Sequence, residues 1–568
     1  MSSSTPSASE RPTAVRHLIV MATCLVAFLL YLHRFCMSYA QRYVKEDLGL
    51  SDDQLGYCFS AFFLAYAIGQ VPSGWLSDRL GARSVLASYV LIWSFFTALM
   101  GATVGFGMLL LIRMAAGLGQ AGAYPTSAAL IKRWVPFTRR GTASSLVAFG
   151  GRVGGGLAPI ITVALIVAFV PNDIDTARLS KDDILNAEEF RTGLAGEGKS
   201  NKGKPDSQET LFAIARLRER LDIDVPIGDI APIVTSLSQS LEDRELFQPQ
   251  DFAEIPIERE AKSLLAKRKT LSPAKVVRLN RLLLESLLPR GIRKLYVQGW
   301  RPVMVAYGTL GILVAGLFWF IFRERPRDHP WCNEREVALV ETGSVDGHVE
   351  PESDTATTQA KLHEPPPMRA ILKSRSLWLI CISQWGGNVG WVFLVTWLPR
   401  YLLEEHDAPL IERGWMITTI LVTGWSGMLI GGWATDYFTR RFGLRWRMLP
   451  AIIGRFIAMT AYLCCLLHPN IWTITAIFAV VAFSNDMSNP AGWAYKQDVG
   501  GRHVGSIHGW ANMWGNLGAT VSPILLRAVE KAYGWDAAFL TCAAAFLIAG
   551  VASLGVDARI PIVQEESA

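Results

Sequence analysis

Gly74-Trp75-Leu76-Ser77-Asp78-Arg79 and Gly432-Trp433-Ala434-Thr435-Asp436-Tyr437 carry one pattern, G-W-x-[ST]-D, 358 residues apart. Each copy closes an apolar run of helical length, and each run stands second in a set of six. A match at equivalent places argues for two related halves, the signature of carriers built from internal repeats. The motif has a local logic. Gly lets helices approach closely, and an Asp at a helix end is expected to pair with Arg79 and Arg83 across the mouth of the bundle. Such a contact can break and re-form as the halves rock.

Working outward, apolar runs fall near 17–39, 55–76, 84–104, 107–130, 143–170, 303–322, 377–402, 413–434, 447–467, 471–494, 505–527 and 536–556. Each is about as long as a helix needs to cross hydrocarbon, and lipid excludes strands with unpaired backbone. The sequence therefore predicts an all-α membrane protein of twelve transmembrane helices in two pseudo-symmetric six-helix bundles. Composition agrees. Of 568 residues, 51% are hydrophobic and 18% charged, where a soluble domain carries about a quarter. Mean hydropathy is +0.26. A cytosolic enzyme, a secreted disulfide scaffold and a disordered tail protein are excluded as whole-chain readings. The run from His17 to Tyr39 is too long for a signal h-region and reads as a retained first helix.

Charge is unevenly spread. Between Pro171 and Gln298 there are 21 basic and 21 acidic residues in 128 positions, net zero. The rest holds the whole net charge of +6. The expected division is 1–170 for the first five helices, 171–298 for a soluble helical insert, 299–334 for helix six and its exit, 335–367 for a cytoplasmic linker, and 368–568 for the second half. Lys and Arg crowd the loops on one side: Arg11, Arg16, Arg79, Arg83, Lys132, Arg133, Arg139, Arg140, Arg323, Arg325, Arg327, Arg440, Arg441, Arg445, Arg447, Lys496 and Arg502. This asymmetry places both termini in the cytoplasm, the protein in the plasma (inner) membrane and the insert outside, since long loops cross regardless of charge. Stretches such as Leu264 to Leu288 read as amphipathic helices of a cap. The +6 reflects this bias and gives no reason to expect nucleic acid. The eight Cys include no CxxC, so they read as small apolar thiols; no metal site and no cofactor is expected.

Ionisable and amide side chains inside the bilayer are costly and mark function by default. Tyr31, Arg34 and Ser38 share one face of the first helix, and Arg113, Gly117, Gln120 and Tyr124 one face of the fourth. Ser145, Arg152 and Gly156 line the fifth, Gln384, Asn388 and Trp391 the seventh, Asp486, Asn489 and Trp493 the tenth, Asn512 and Asn516 the eleventh. Arg455 in the ninth reads as a snorkelling or inner-mouth residue. Cations facing a cavity attract an anion, and a guanidinium binds a carboxylate through paired hydrogen bonds.

The stretch GWLSDRLGAR at Gly74 to Arg83 resembles the loop motif of the major facilitator superfamily. FRERPRDHPWCNERE at Phe322 to Glu336, WLPRYL at Trp397 to Leu402, DVGGRHVG at Asp498 to Gly505 and GWANMWGNLG at Gly509 to Gly518 are similar to its anion:cation symporter family, whose members include galactonate, glucarate and hexuronate carriers. The resemblance implies a secondary active transporter moving a small organic anion, a sugar acid, by alternating access, as cation symport or anion exchange. It implies that helices one, four, seven and ten line the cavity, that Arg34 and Arg113 bind the carboxylate, and that Tyr31 and Tyr66 stand at substrate-contacting positions. Arg152, Gln120, Gln384, Asn388 and Asn512 complete the candidate binding set; Asp78, Arg79, Arg83 and Asp436 are the gating candidates. The partners expected are the anion, a co-transported proton and the lipid bilayer, for a monomer.

The family usually places Asp before the first-helix Arg and Glu seven residues after the fourth-helix Arg. Here these are His33 and Gln120. Three repairs stand open: His33 titrates, since its unperturbed pKa is near 6.5; Asp486 holds the proton; or the carrier exchanges anions without a proton site. Two further readings compete. One is a facilitator for a neutral sugar or phosphate ester, because fold does not fix substrate. The other is a non-transporting sensor using the insert as its recognition module. An enzyme is not expected: the sequence has no GxSxG, HExxH or P-loop, and no paired carboxylates within membrane reach of a His.

Overall fold

In a computed structural model, residues 11–197, 207–221, 230–342 and 368–562 are described. Most of the expected 335–367 linker thus lies outside the described residues.

Among the described residues, eleven helices are long and apolar enough to cross a membrane. Spans 1 to 3 are Val15–Leu48, Asp52–Leu80 and Ala82–Met100. Span 4 is Phe106–Ala121 continued, past Gly122, by Ala123–Trp134; span 5 is Arg140–Phe169 and span 6 Trp300–Ile321. Spans 7 to 10 are Arg375–Thr396, Leu410–Phe442, Leu449–Cys464 and Ile471–Val499. The last run, Val504–Leu554, contains a non-helical Gly534 at φ 83° and ψ −179°. That residue separates spans 11 and 12, so the eleven long helices make twelve crossings. Local sequence sets the joints. Span 1 stops at Gly49, left-handed at φ 62°, whose N–H donates to the Lys45 carbonyl. Span 2 starts two residues on, where Ser51 and Gln54 form a reciprocal capping box.

Within the first half, spans 1 and 5, 2 and 4, and 3 and 6 pack as pairs; in the second half 7 packs on 11, 8 on 10, and 9 on 10 and the 11–12 run. The halves meet mainly through span 2 on span 11 and span 5 on span 8, equivalent pairs under the repeat. Both crossings require glycine. A Cβ at Gly74 would fall on the Gly505 carbonyl, and one at Gly432 on the Ser145 side chain. Any side chain there would push the halves apart.

The insert folds as short helices around Pro273–Leu287. That helix is more than an amphipathic surface element: eleven of its residues are buried, among them Arg278, Arg281 and Glu285. Arg281 pairs with Glu285 at 2.9 Å and Arg278 with Glu260 at 2.9 Å, which is how charged groups survive in a small core. Burial raises the Glu285 carboxyl above its ordinary pKa against the opposing pull of Arg281 and Lys294. The insert's core runs without a break into the adjoining ends of spans 1, 5 and 6. Arg278 donates to the carbonyls of Val170 and Pro171 at 3.3 and 3.1 Å, and the Lys294 N–H to Glu46 at 3.2 Å. These contacts tie it to the first half.

Candidate functional site

Arg34 and Arg113 sit on spans 1 and 4 with 7% and 1% exposure. Their guanidinium carbons flank the Phe62 ring at 5.8 and 4.3 Å from its centroid. Arg34 also lies over Tyr66 at 4.2 Å and Tyr31 at 4.9 Å. Helical spacing brings Gln120, two turns beyond Arg113, to face span 1, and Arg34 Nε donates to its Oε1 at 3.2 Å. Arg34 also interacts with the Tyr66 side chain, while Arg34 Nη2 and Arg113 Nε are buried without a partner. Neither Arg forms an ion pair among the described residues. Aromatic faces stabilise a cation by about 1–2 kcal/mol when desolvated, far less than burying the charge costs. The pair is therefore an electropositive, donor-rich site with its acceptors missing.

The second half treats charge differently. Asp486, 3% exposed, accepts from Arg152 Nη2 at 2.9 Å across the interface between halves. Asn485 and Asn489 amides also donate to it, at 3.2 and 3.4 Å. Arg152 stacks over Trp391 at 4.6 Å. Arg455 does not snorkel: it is 4% exposed and donates to Asn485 Oδ1 at 2.6 Å. Asp486 thus sits beneath Arg152 with Arg455 one amide away, and the site candidate Arg152 meets a coupling candidate instead of the Arg34–Arg113 pair.

Half-buried Asn388 donates to the Gly515 carbonyl at 2.7 Å, and Asn512 Nδ2 to Gln70 Oε1 at 3.0 Å, joining spans 11 and 2. Gln384, its amide nitrogen turned toward the Ala511 carbonyl at 3.0 Å, accepts from Lys496 Nζ at 3.1 Å. His33, the other coupling candidate, points away from Arg34. Its ring lies 5.6 Å from that of Tyr307 on span 6. Adjacent residues on a helix face about 100° apart, so one of the two must leave the Arg34 face.

The gating set corrects the expected pairing. Asp78 accepts the N–H groups of Gly505 and Ser506 and the Ser506 hydroxyl, each at 2.7 Å, and no bond from Arg79 or Arg83 to it is found. Arg79 lies over Trp75 at 5.2 Å, and Arg83 donates to the Trp319 carbonyl at 2.8 Å. Asp436 is the mirror image: it accepts from the N–H groups of Gly141 and Thr142 at 2.8 and 2.7 Å and from the Thr142 hydroxyl at 2.7 Å. Each Asp caps the first turn of a helix in the opposite half, where orphan N–H groups and the helix dipole favour an anion. That geometry outcompetes a half-buried Arg engaged elsewhere. Around them, Arg140 pairs with Asp498 at 2.8 Å, Arg447 with Asp498 at 2.6 Å, and Gln497 donates to Ser144 Oγ at 3.1 Å. This end of the bundle is closed. Toward the other end, Leu157 and Ile160 of span 5 and Trp415 and Val422 of span 8 are all exposed.

Sequence reasoning missed Lys496 and His508. Lys496 falls among the basic loop residues and His508 receives no role from the sequence, yet both are 0% exposed. A signal existed: Asp486, Asn489 and Trp493 form a stripe that Lys496 continues one turn later. The Thr142 and Ser506 hydroxyls were also missed, because each acts only through a helix start in the other half.

Two halves of membrane-spanning helices, with reciprocal helix-capping contacts closing one end, are the architecture of an integral membrane carrier. The chain belongs to the Major Facilitator Superfamily, whose profile matches residues 23–171, 295–523 and 412–566. It is similar to the Bacillus subtilis (strain 168) protein named "Probable galactarate/D-glucarate transporter GudP", 24% identical, covering 92% of this chain and 88% of that one. It is also similar to the Cupriavidus necator protein named "Probable sulfoacetate transporter SauU", 22% identical over 96% of this chain and 95% of that one. In fold it matches the crystal structure of the Escherichia coli fucose:proton symporter FucP at TM-score 0.54 and 14% identity, covering 95% and 98% of the two chains. It is a transporter and not an enzyme.

Proposed function

We propose that this protein carries a small organic anion, a sugar acid of the galactarate, glucarate or galactonate type, across the membrane by alternating access. One observation carries the reading: Arg34 and Arg113 are both buried against the Phe62 ring, with the neutral Gln120 amide on Arg34 and no carboxylate paired with either among the described residues. A carboxylate completes both guanidinium forks, whereas a neutral sugar leaves two charges uncompensated. Tyr31, Tyr66 and Gln120 surround that point, and the relatives' names agree with an anionic cargo. In the topology the basic loops support, both termini are cytoplasmic and the closed end faces the cytoplasm, so the described state opens outward, as a monomer.

Anion exchange is the coupling the arrangement favours. Empty reorientation must occlude two unpaired cations, and a bound anion removes that cost. Symport with a proton on Asp486 is the second reading, because Asp486 holds the central inter-half pair with Arg152 and protonating it would release that contact. The test is uptake into proteoliposomes of labelled galactarate, D-galactonate and fucose, with and without internal anion and a pH gradient. Sugar-acid uptake that needs internal anion and ignores pH supports exchange. Dependence on external protons, lost in Asp486→Asn but not in His33→Asn, supports symport. Preference for fucose overturns the anion reading.

A further inference from the structure

Lys496 is a buried cation that none of the preceding roles uses. It lies ten residues past Asp486 on span 10, 0% exposed, with the neutral Gln384 amide as its partner. The titratable side chains around it are Cys381 of span 7 and His508 of span 11. The His508 ring lies 4.5 Å from that of Trp493, and both its nitrogens are buried without a partner. An ammonium enclosed by an amide, a thiol and an imidazole, with no carboxylate, is a costly arrangement in a membrane helix.

Two chains of contacts connect this cluster to the Arg34 site. Tyr124 stands 6.2 Å from Tyr31, which lies under Arg34, and 5.0 Å from Trp493. Gln70, one turn past Tyr66, bonds Asn512, one turn past His508. Both links cross the interface between halves, so both part when the closed end opens, and Lys496 then faces the path that the solute leaves by.

We infer that Lys496, with Gln384 and His508, is a second anion pole: it takes the far carboxylate of a dicarboxylic solute whose near carboxylate lies on Arg34 and Arg113. The inference rests on the anion-carrier reading and sharpens it to dianions. It is tested by competition for transport in proteoliposomes between galactarate and D-galactonate, which share six carbons but carry two carboxylates and one. Wild type is expected to favour galactarate about tenfold. Lys496→Gln collapses that ratio and Lys496→Arg keeps it. An unchanged ratio in Lys496→Gln, or a wild type with no preference, overturns the inference while leaving the anion carrier standing. The wild-type ratio needs no variant, so a substitution that fails to fold does not shield the idea. A wild type that transports neither anion removes both proposals together.

Discussion

The two halves share a five-residue pattern whose Asp caps a helix start in the other half, Asp436 with an added pairing to Arg447 at 3.5 Å, yet they hold buried charge in different ways. In the first half Arg34 and Arg113 have aromatic rings and one amide for company. In the second, Asp486 is met by Arg152 from across the interface, with Arg455 close behind. The motif is alike because its job is alike: a carboxylate at the end of span 2 or span 8 caps a helix that starts in the other half. The charge patterns differ because the Arg34–Arg113 pair has no carboxylate partner among the described residues, whereas Asp486 supplies one to Arg152. The Arg152–Asp486 pair bridges the two.

The largest test of this contrast removes the unsatisfied cations. Arg113→Ala or Arg34→Ala should lower sugar-acid uptake by about 3 kcal/mol of binding, roughly a hundredfold, while the melting temperature of the detergent-solubilised protein holds or rises. A matching loss of stability would mean that these guanidiniums are structural. The same deletion on the other side should have the reverse signature. Asp486→Asn strands Arg152 and is expected to destabilise by about 2–4 kcal/mol, toward the lower end because Arg152 keeps 18% of its side chain exposed. Adding Arg152→Gln should restore part of the lost midpoint, and no recovery would refute the pairing.

A smaller effect separates gating from binding. Asp78→Asn and Asp436→Asn each weaken charge-assisted caps worth about 1–2 kcal/mol together, which shifts the population toward the state open at the Ser144 end. In a background with the eight native Cys replaced, maleimide labelling of Ser144→Cys, normally 1% exposed, should rise in both variants and to a similar degree. A rise in one alone would break the equivalence of the halves. The smallest effect lies past span 12, where hydrogen bonds from Arg559 hold the Asp557 carboxyl down at about 2. A depressed carboxyl stabilises above its unfolded value and loses that contribution as pH falls through the folded one. The thermal midpoint difference between wild type and Asp557→Asn should therefore be small and constant from neutrality to about pH 4 and disappear toward pH 2. A difference that grows in acid would contradict the assigned sign.

Much of the fold was legible in the chain. Twelve apolar runs became twelve crossings because lipid leaves a backbone no alternative to the helix, and Gly534 breaks the last two where the polar interval between 527 and 536 lies. Arg34 and Arg113 stood out because a charge in an apolar run has no cheap explanation. Lys496 was legible only as the continuation of the Asp486–Trp493 stripe and His508 not at all, since both sit near helix ends where a sequence reads as loop, and only the depth of spans 10 and 11 decides that they are enclosed. The Asp78 partner was misread for a related reason. Neighbouring Arg residues are visible in sequence, whereas the N–H groups that win are backbone, 427 and 428 positions away.

What the sequence determined alone was the solvent and the inventory: hydrophobic length requires membrane helices, a repeated motif requires two halves, and each intramembrane charge requires some use. What tertiary structure decided was the pairing. Arg152 is neutralised while Arg34 is not, His33 turns from the site that its neighbour builds, and a surface-like lysine becomes a buried one. Those outcomes depend on distances between helices hundreds of residues apart, and the energy of a charge in lipid is set by what stands within a few ångströms of it.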